Sequence, residues 1–171
     1  PRGWFRVLDS SELPRMRVKY VQAMGRDLAI FRGEDGKVRC LDAYCIHLGA
    51  NMAIGGQVVG NCLECPFHKW SFAGDGMCSA IPYSPAKVPS TARTTAYHVI
   101  DFYGQICVWF VLKAEETPPS APLPPPDYFP LPFEKIDNGS MVLRGATKLH
   151  VNMHLQEFAE NSTDFAHFAY L

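Results

Sequence analysis

Four side chains in this 171-residue sequence stand where metal chemistry would need them. Cys45-Ile46-His47 and Cys65-Pro66-Phe67-His68 form C-x-H and C-x-x-H motifs with seventeen residues between them, so each of two short loops offers one thiolate and one imidazole. Two chemistries use that donor set. A single zinc ion takes two cysteines and two histidines in a tetrahedron, and Cys62-Leu63-Glu64-Cys65 adds a C-x-x-C pair of the kind zinc ribbons carry. A two-iron, two-sulfide core takes the cysteines on one iron and the histidines on the other. Neutral imidazole leaves that core less negative, and easier to reduce, than an all-cysteine cluster. The flanks favour the second reading. Leu48-Gly49 after the first histidine, Pro66 after the second cysteine, and Gly55-Gly56 between the loops suit a backbone that approaches bridging sulfides and donates amide hydrogen bonds. Zinc needs no such cage. Cys62, three residues before Cys65 on an incoming strand, falls on the opposite face and reads as packing.

Such loops need a rigid frame, and residues 1 to 112 read as one: an antiparallel β domain of short strands broken by turns. Asp27 to Arg32 and Val38 to Asp42 flank the turn Glu34-Asp35-Gly36-Lys37, and Val99 to Phe102 and Gln105 to Phe110 flank Tyr103-Gly104. Residues 117 to 132 hold eight of the fourteen prolines, which support neither helix nor ladder. The expected organisation is therefore a β domain over 1–116, an extended Pro-rich linker over 117–132, and the start of a second, α+β domain over 133–171. In that last part Ser140 to Leu149 reads as a strand. Met153 to Leu171 reads as a helix with Phe158, Phe165 and Phe168 available for one buried side. One strand and one helix cannot cover both their apolar faces, so this domain is expected to be an N-terminal fragment.

Composition narrows the function. With 47% hydrophobic residues the chain can bury a core, and a net charge of -1 gives no reason to expect a nucleic-acid partner. The longest apolar run, Ile106 to Leu112, is far too short to span a bilayer. Six cysteines could staple a small scaffold, but a chain of this size needs none, and a reducing compartment is expected.

Three further groups could carry chemistry. Asn161, Asp164 and His167 fall at three-residue steps, which on a helix makes one continuous polar strip; without further context that is an ordinary solvated face. His150 and His154 are at i, i+4 but lack a third ligand, and packing or hydrogen bonding is the better reading. Arg15, Arg17 and Lys19 alternate along a probable strand, where they could dock an acidic electron donor or simply guard a sheet edge, and we prefer the edge.

The segments Leu41 to Asn51, Glu64 to Phe72, Gly74-Asp75-Gly76 and Ile81-Pro82-Tyr83 resemble the Rieske non-haem iron oxygenases of sterols. The resemblance is greatest to cholesterol 7-desaturases, then to 3-ketosteroid 9α-hydroxylases, and covers almost the whole chain. It departs at Lys69, where many Rieske proteins have glycine. The resemblance implies a [2Fe-2S] cluster on Cys45, His47, Cys65 and His68, reduced by an NAD(P)H-dependent reductase or ferredoxin. Respiratory Rieske proteins carry an extra cysteine in each loop, where Ala50 and Phe67 stand here, so the lower end of the Rieske potential range is expected. The resemblance further implies a mononuclear Fe(II) in the complete protein, with His167 as its first ligand, a second histidine at the position after Leu171, and a carboxylate further on. Asp164 would link that iron's histidine to a cluster histidine, often across the subunits of a homotrimer, and Asn161 belongs to the same motif. The implied reaction uses O2 to convert cholesterol to 7-dehydrocholesterol, with steroid hydroxylation as runner-up; these residues alone are expected to be inactive. A Rieske ferredoxin would need neither the linker nor residues 140 to 171. For a cholesterol 7-desaturase, association with the endoplasmic reticulum membrane through an anchor outside these residues is expected, and otherwise the cytoplasm.

Overall fold

The computed structural model describes residues 2–111, 139–142, 144, 149 and 151–167, and the chain divides into two compact units, 1–131 and 132–171. The linker expected over 117–132 lies outside the described residues, as do His150 and Phe168.

The first unit is built from eleven strands among its described residues: β1 (Arg2–Asp9), β2 (Arg17–Ala23), β3 (Arg26–Arg32), β4 (Val38–Asp42), β5 (Gln57–Val59), β6 (Cys62–Glu64), β7 (Ser71–Phe72), β8 (Cys78–Ala80), β9 (Ala96–Tyr97), β10 (Val99–Phe102) and β11 (Gln105–Val111). They pair antiparallel in three sheets, ordered β1-β11-β10, β2-β3-β4-β9 and β5-β6-β7-β8. The expected mainly β class and its strands are thus present. The β10–β11 hairpin turns through Tyr103 (φ 48) and Gly104 (φ 80), the paired left-handed residues that match the right-handed twist of a hairpin.

The apolar run Leu28-Ala29-Ile30-Phe31 is buried throughout, and strand alternation explains why. Leu28 and Ile30, with Cys40 from β4, face a core shared with Leu8, Ile106 and Val108. Ala29 and Phe31, with Leu41, face the opposite way into a second core with Met52, Leu63, Phe72 and Cys78. β3 and β4 are therefore a middle layer. Cys45 and Cys65 belong to the second core, so the two cysteines are anchored in buried structure rather than at a loose tip.

Three expectations need correction. Arg15 does not share a strand face with Arg17 and Lys19: the left-handed Met16 (φ 60) breaks the alternation before β2 begins, and Lys19 pairs with Glu12 at 2.9 Å. β2 is an edge strand of its sheet, in line with the edge-guarding reading. In the second unit, the described residues of 140–149 are bend or irregular rather than strand.

The third correction concerns the polar strip. The helix there, α1 (Leu155–Thr163), ends before Asp164 and His167, so the two do not continue a helical face from Asn161. Asp164 is the C-cap at φ -83, ψ 85, and its carboxylate accepts from the Ala166 amide at 3.1 Å. A short polar side chain that captures nearby backbone donors competes with the helix, and here it wins. At the other end His154 is the N-cap, its ring Nδ1 accepting from the Gln156 amide at 3.2 Å. Phe158 and Phe165 are exposed rather than buried, as one nine-residue helix cannot cover its own apolar side. No helix among the described residues is long and apolar enough to cross a membrane.

Candidate metal-cluster site

The two motif loops have the same backbone. In the first, an antiparallel bridge between Tyr44 and Asn51 closes the six residues Cys45 to Ala50. In the second, the β6–β7 pair Glu64 and Ser71 closes Cys65 to Trp70. The Cys45 amide donates to the Ala50 carbonyl (2.8 Å) and the Gly49 amide to the Cys45 carbonyl (2.8 Å); the Cys65 amide donates to the Trp70 carbonyl (2.8 Å) and the Lys69 amide to the Cys65 carbonyl (3.2 Å). The fifth residue of each loop is left-handed, Gly49 at φ 72 and Lys69 at φ 61. The departure from glycine at Lys69 therefore leaves the loop geometry intact, at a cost of about 1–2 kcal/mol for a residue with a Cβ.

This shared frame aims the four side chains in pairs. The Cys45 and Cys65 thiols are close enough to influence one another's ionisation, and both residues are buried. The His47 and His68 rings lie edge to face with centroids 4.7 Å apart. Among the described residues no three His, Cys, Asp or Glu side chains gather around one point as a single ion would require. A division into a thiol pair and an imidazole pair is what a two-iron core takes, with two sulfurs on one iron and two nitrogens on the other. The donor set fits that core in chemistry and in pairing. Burial pushes the Cys45 thiol up to about 11; the backbone amides of His47 and Leu48 donate towards the sulfur and pull the other way, while neighbouring Cys65 adds to the rise. Both amides act on the Cys45 sulfur itself, where they favour the thiolate that a metal would take.

The glycines between the loops serve a different purpose from the one expected. A Cβ on Gly56 would meet the Met52 carbonyl oxygen at 2.0 Å and the Glu64 carbonyl oxygen at 2.8 Å, and one on left-handed Gly55 would touch Pro66. They let the chain leaving the first loop press against the chain entering the second. Cys62 is half-buried, and its sulfur accepts from the Ser79 hydroxyl at 3.6 Å, a packing role as expected. All six cysteines are free.

Sequence reading missed two residues of the site. The Trp70 indole stacks flat on the His47 ring, centroids 4.6 Å apart and planes within 5°, and its Nε1 donates to the Tyr83 hydroxyl at 2.6 Å. Tyr83 also meets His68 edge to face at 6.4 Å. The loop that supplies His68 thus holds the imidazole supplied by the other loop. Ile46 and Leu48, on either side of His47, and Phe67, beside His68, are exposed, so apolar side chains flank both histidines.

The Rieske [2Fe-2S] domain family matches residues 3–99, a stretch that contains both loops and the strands that close them. This chain is a Rieske protein. Its family cofactor is the [2Fe-2S] cluster, which excludes the zinc reading. It is 42% identical over 171 residues to cholesterol 7-desaturase nvd 1 of Ciona intestinalis, a match that takes in all of this chain and 34% of that protein. It is 36% identical to a probable 3-ketosteroid-9-alpha-monooxygenase oxygenase component of Rhodococcus rhodochrous, over 99% of this chain and 41% of that one. Among solved structures, dicamba monooxygenase with non-heme iron and dicamba superposes with a TM-score of 0.58 at 26% identity, over 63% of this Rieske chain and 32% of the other. The relatives are Rieske oxygenases and desaturases, and the chain spans about a third of their length.

In the second unit, His167 Nδ1 lies 3.4 Å from Asp164 Oδ2. Asn161 sits two residues before the end of α1. These three are described within their own unit, and the two loops within theirs.

Proposed function

We propose that this chain is the electron-entry part of a sterol-oxidising Rieske oxygenase, in which Cys45 and Cys65 hold one iron of the cluster and His47 and His68 hold the other. The observation that carries the ligand assignment is the pairing of thiol with thiol and imidazole with imidazole on two loops of one backbone design. When bound, the cluster supplies one-electron transfer at constant ligation. The chain's own residues do the rest. The second core and the Gly56 contact fix the distance between the loops, Trp70 fixes the plane of His47, and the exposed His68 with its apolar neighbours offers the edge that a partner surface would meet.

His167 is proposed as a ligand of the mononuclear iron of the whole protein, with the remaining ligands supplied by sequence outside this chain. The Asp164 carboxylate beside Nδ1 would orient the ring and leave Nε2 for metal, the arrangement in which a histidine ligand donates its other N–H to a carboxylate. Asn161, three residues before Asp164, is proposed as a member of the same motif. A reductase or ferredoxin fed by NAD(P)H, O2, assembly as a homotrimer and association with the endoplasmic reticulum membrane belong to this proposal for the complete protein.

Conversion of cholesterol to 7-dehydrocholesterol is the preferred reaction because the 42% relative is named a cholesterol 7-desaturase. Nuclear hydroxylation of a steroid is the second reading, favoured by the 36% relative. The test is turnover by the whole protein with a reductase, NAD(P)H, O2 and cholesterol, followed by mass spectrometry. Loss of two hydrogens supports desaturation, gain of one oxygen supports hydroxylation, and a cluster that cycles with neither product reduces the role to electron carriage.

A further inference from the structure

The second loop carries a charge pair that neither ligation nor packing accounts for. Lys69 occupies the left-handed position (φ 61) that glycine fills in the first loop, and its Nζ lies 3.2 Å from Glu64 Oε1. Glu64 immediately precedes Cys65 and Lys69 immediately follows His68, so the pair brackets the ligand segment. Each charged residue is one step, about 3.8 Å of backbone, from a proposed ligand. The hydrogen bond that closes the loop runs from the Lys69 main-chain amide to the Cys65 carbonyl, and glycine would make it equally well. Backbone strain kept where glycine would serve is a reason to look for a function of the side chain.

We propose that Lys69 and Glu64 set the reduction potential of the cluster, Lys69 raising it and Glu64 holding that rise in check. The inference rests on the ligand assignment above. At a pH where the ligating imidazoles keep their protons in both states, reduction would add one electron and no proton, so the reduced form would carry one more negative charge. A nearby ammonium stabilises that form and a nearby carboxylate destabilises it. The Glu64 side chain is 21% exposed and the Lys69 side chain 47%, so water and salt screen the carboxylate less than the ammonium. Together the two charges nearly cancel at the cluster, and removing either uncovers the field of the other.

The test uses the cluster-loaded whole protein poised at the wild-type midpoint, with the reduced-to-oxidised ratio read by absorbance and EPR. Lys69→Gln keeps the backbone conformation and side-chain reach but removes the charge; it should shift the ratio towards the oxidised form by a few-fold, up to about tenfold, tenfold being 59 mV for one electron. Glu64→Gln should shift it towards the reduced form by a comparable factor. The double variant should return to within about twofold of wild type, and Lys69→Arg should match wild type. Iron content and the rhombic EPR signal should be unchanged in all four. Shifts of the same sign, no shift in either single variant, or loss of iron from either overturns the proposal and leaves the pair a structural one. A wild-type protein without the rhombic signal overturns instead the ligand assignment beneath it.

Discussion

The two cluster loops of this Rieske domain share a backbone but almost no sequence. Each spans six residues between a bridged pair, begins on the cysteine, and turns left-handed at its fifth position. They differ in which position carries the histidine: the third in Cys45-Ile46-His47, the fourth in Cys65-Pro66-Phe67-His68. The equivalent first residues, Cys45 and Cys65, are neighbours, and the imidazoles also meet, with centroids 4.7 Å apart, although they stand at different positions. Backbone hydrogen bonds set the frame, and the side-chain register differs by one residue between the loops.

The strongest way to break the comparison is to remove a ligand from either loop. Cys65→Ser and Cys45→Ser should each lose both irons, the brown colour and the rhombic EPR signal, because a two-iron core cannot survive on one thiolate. Iron assay against protein concentration checks this, with about two irons per chain expected for the wild type. One loop tolerating the loss while the other does not would mean that the loops are not equal partners.

Next in size is the contact between the loops. Gly56→Ala would push a methyl into the Met52 and Glu64 carbonyls, one on each loop's connecting chain, and backbone cannot yield as a side-chain tip can. The expected destabilisation is about 3 kcal/mol, at the upper end for overpacking, with weaker cluster retention in parallel. Urea denaturation of the apo and loaded forms measures both. Gly55→Ala tests the specificity of that effect, since its Cβ would meet only Pro66 at 3.5 Å and its cost is the smaller one of a left-handed alanine.

How much of this was legible in the sequence follows from what each feature depends on. The four candidate ligands could be picked out because cysteine and histidine are scarce and their spacing is local. The middle layer was legible in part, since the apolar run Leu28 to Phe31 is what a strand buried on both faces requires. The equivalence of the loops was not, because it resides in carbonyl and amide contacts that Ala50 and Trp70 satisfy alike. Nor was the Trp70–His47 stack, whose partners come from different loops. The helix was overextended for a local reason: Asn161-Ser162-Thr163-Asp164 combines residues of modest helix propensity with a carboxylate able to capture the Ala166 amide. A reading based on three-residue steps alone passes over that competition.

Burial raises the Cys45 thiol from 9.0 to about 11, and the sign of its effect separates apo from loaded protein. The apo fold favours the protonated thiol. That contribution is fully present below the ordinary thiol value and is lost as pH climbs through about 11, so apo stability should fall across roughly pH 9 to 11. The loaded protein already holds thiolate and should not show this loss, and its cluster should assemble more readily as pH rises through the same range. Thermal unfolding of both forms against pH reads the difference, and parallel curves would refute it.

The smallest effects belong to the fifth position, and they sharpen the comparison most. Gly49 is left-handed with nothing within 4 Å of where its Cβ would sit, so Gly49→Ala meets only a conformational penalty, about 1 kcal/mol. Lys69→Gly relieves a penalty of that kind, but it also frees the unfolded chain by about 0.5–1 kcal/mol and deletes an exposed ion pair worth less than about 1 kcal/mol. These opposing contributions leave Lys69→Gly within about 1 kcal/mol of wild type. One geometric position should therefore respond unequally in the two loops: substitution at Gly49 costs stability, and reversal at Lys69 returns less than that cost. Equilibrium denaturation resolves a difference of this size. A Lys69→Gly variant that gains more than Gly49→Ala loses would show that the second loop carries strain beyond its left-handed residue, and that the two frames are less alike than their hydrogen bonds.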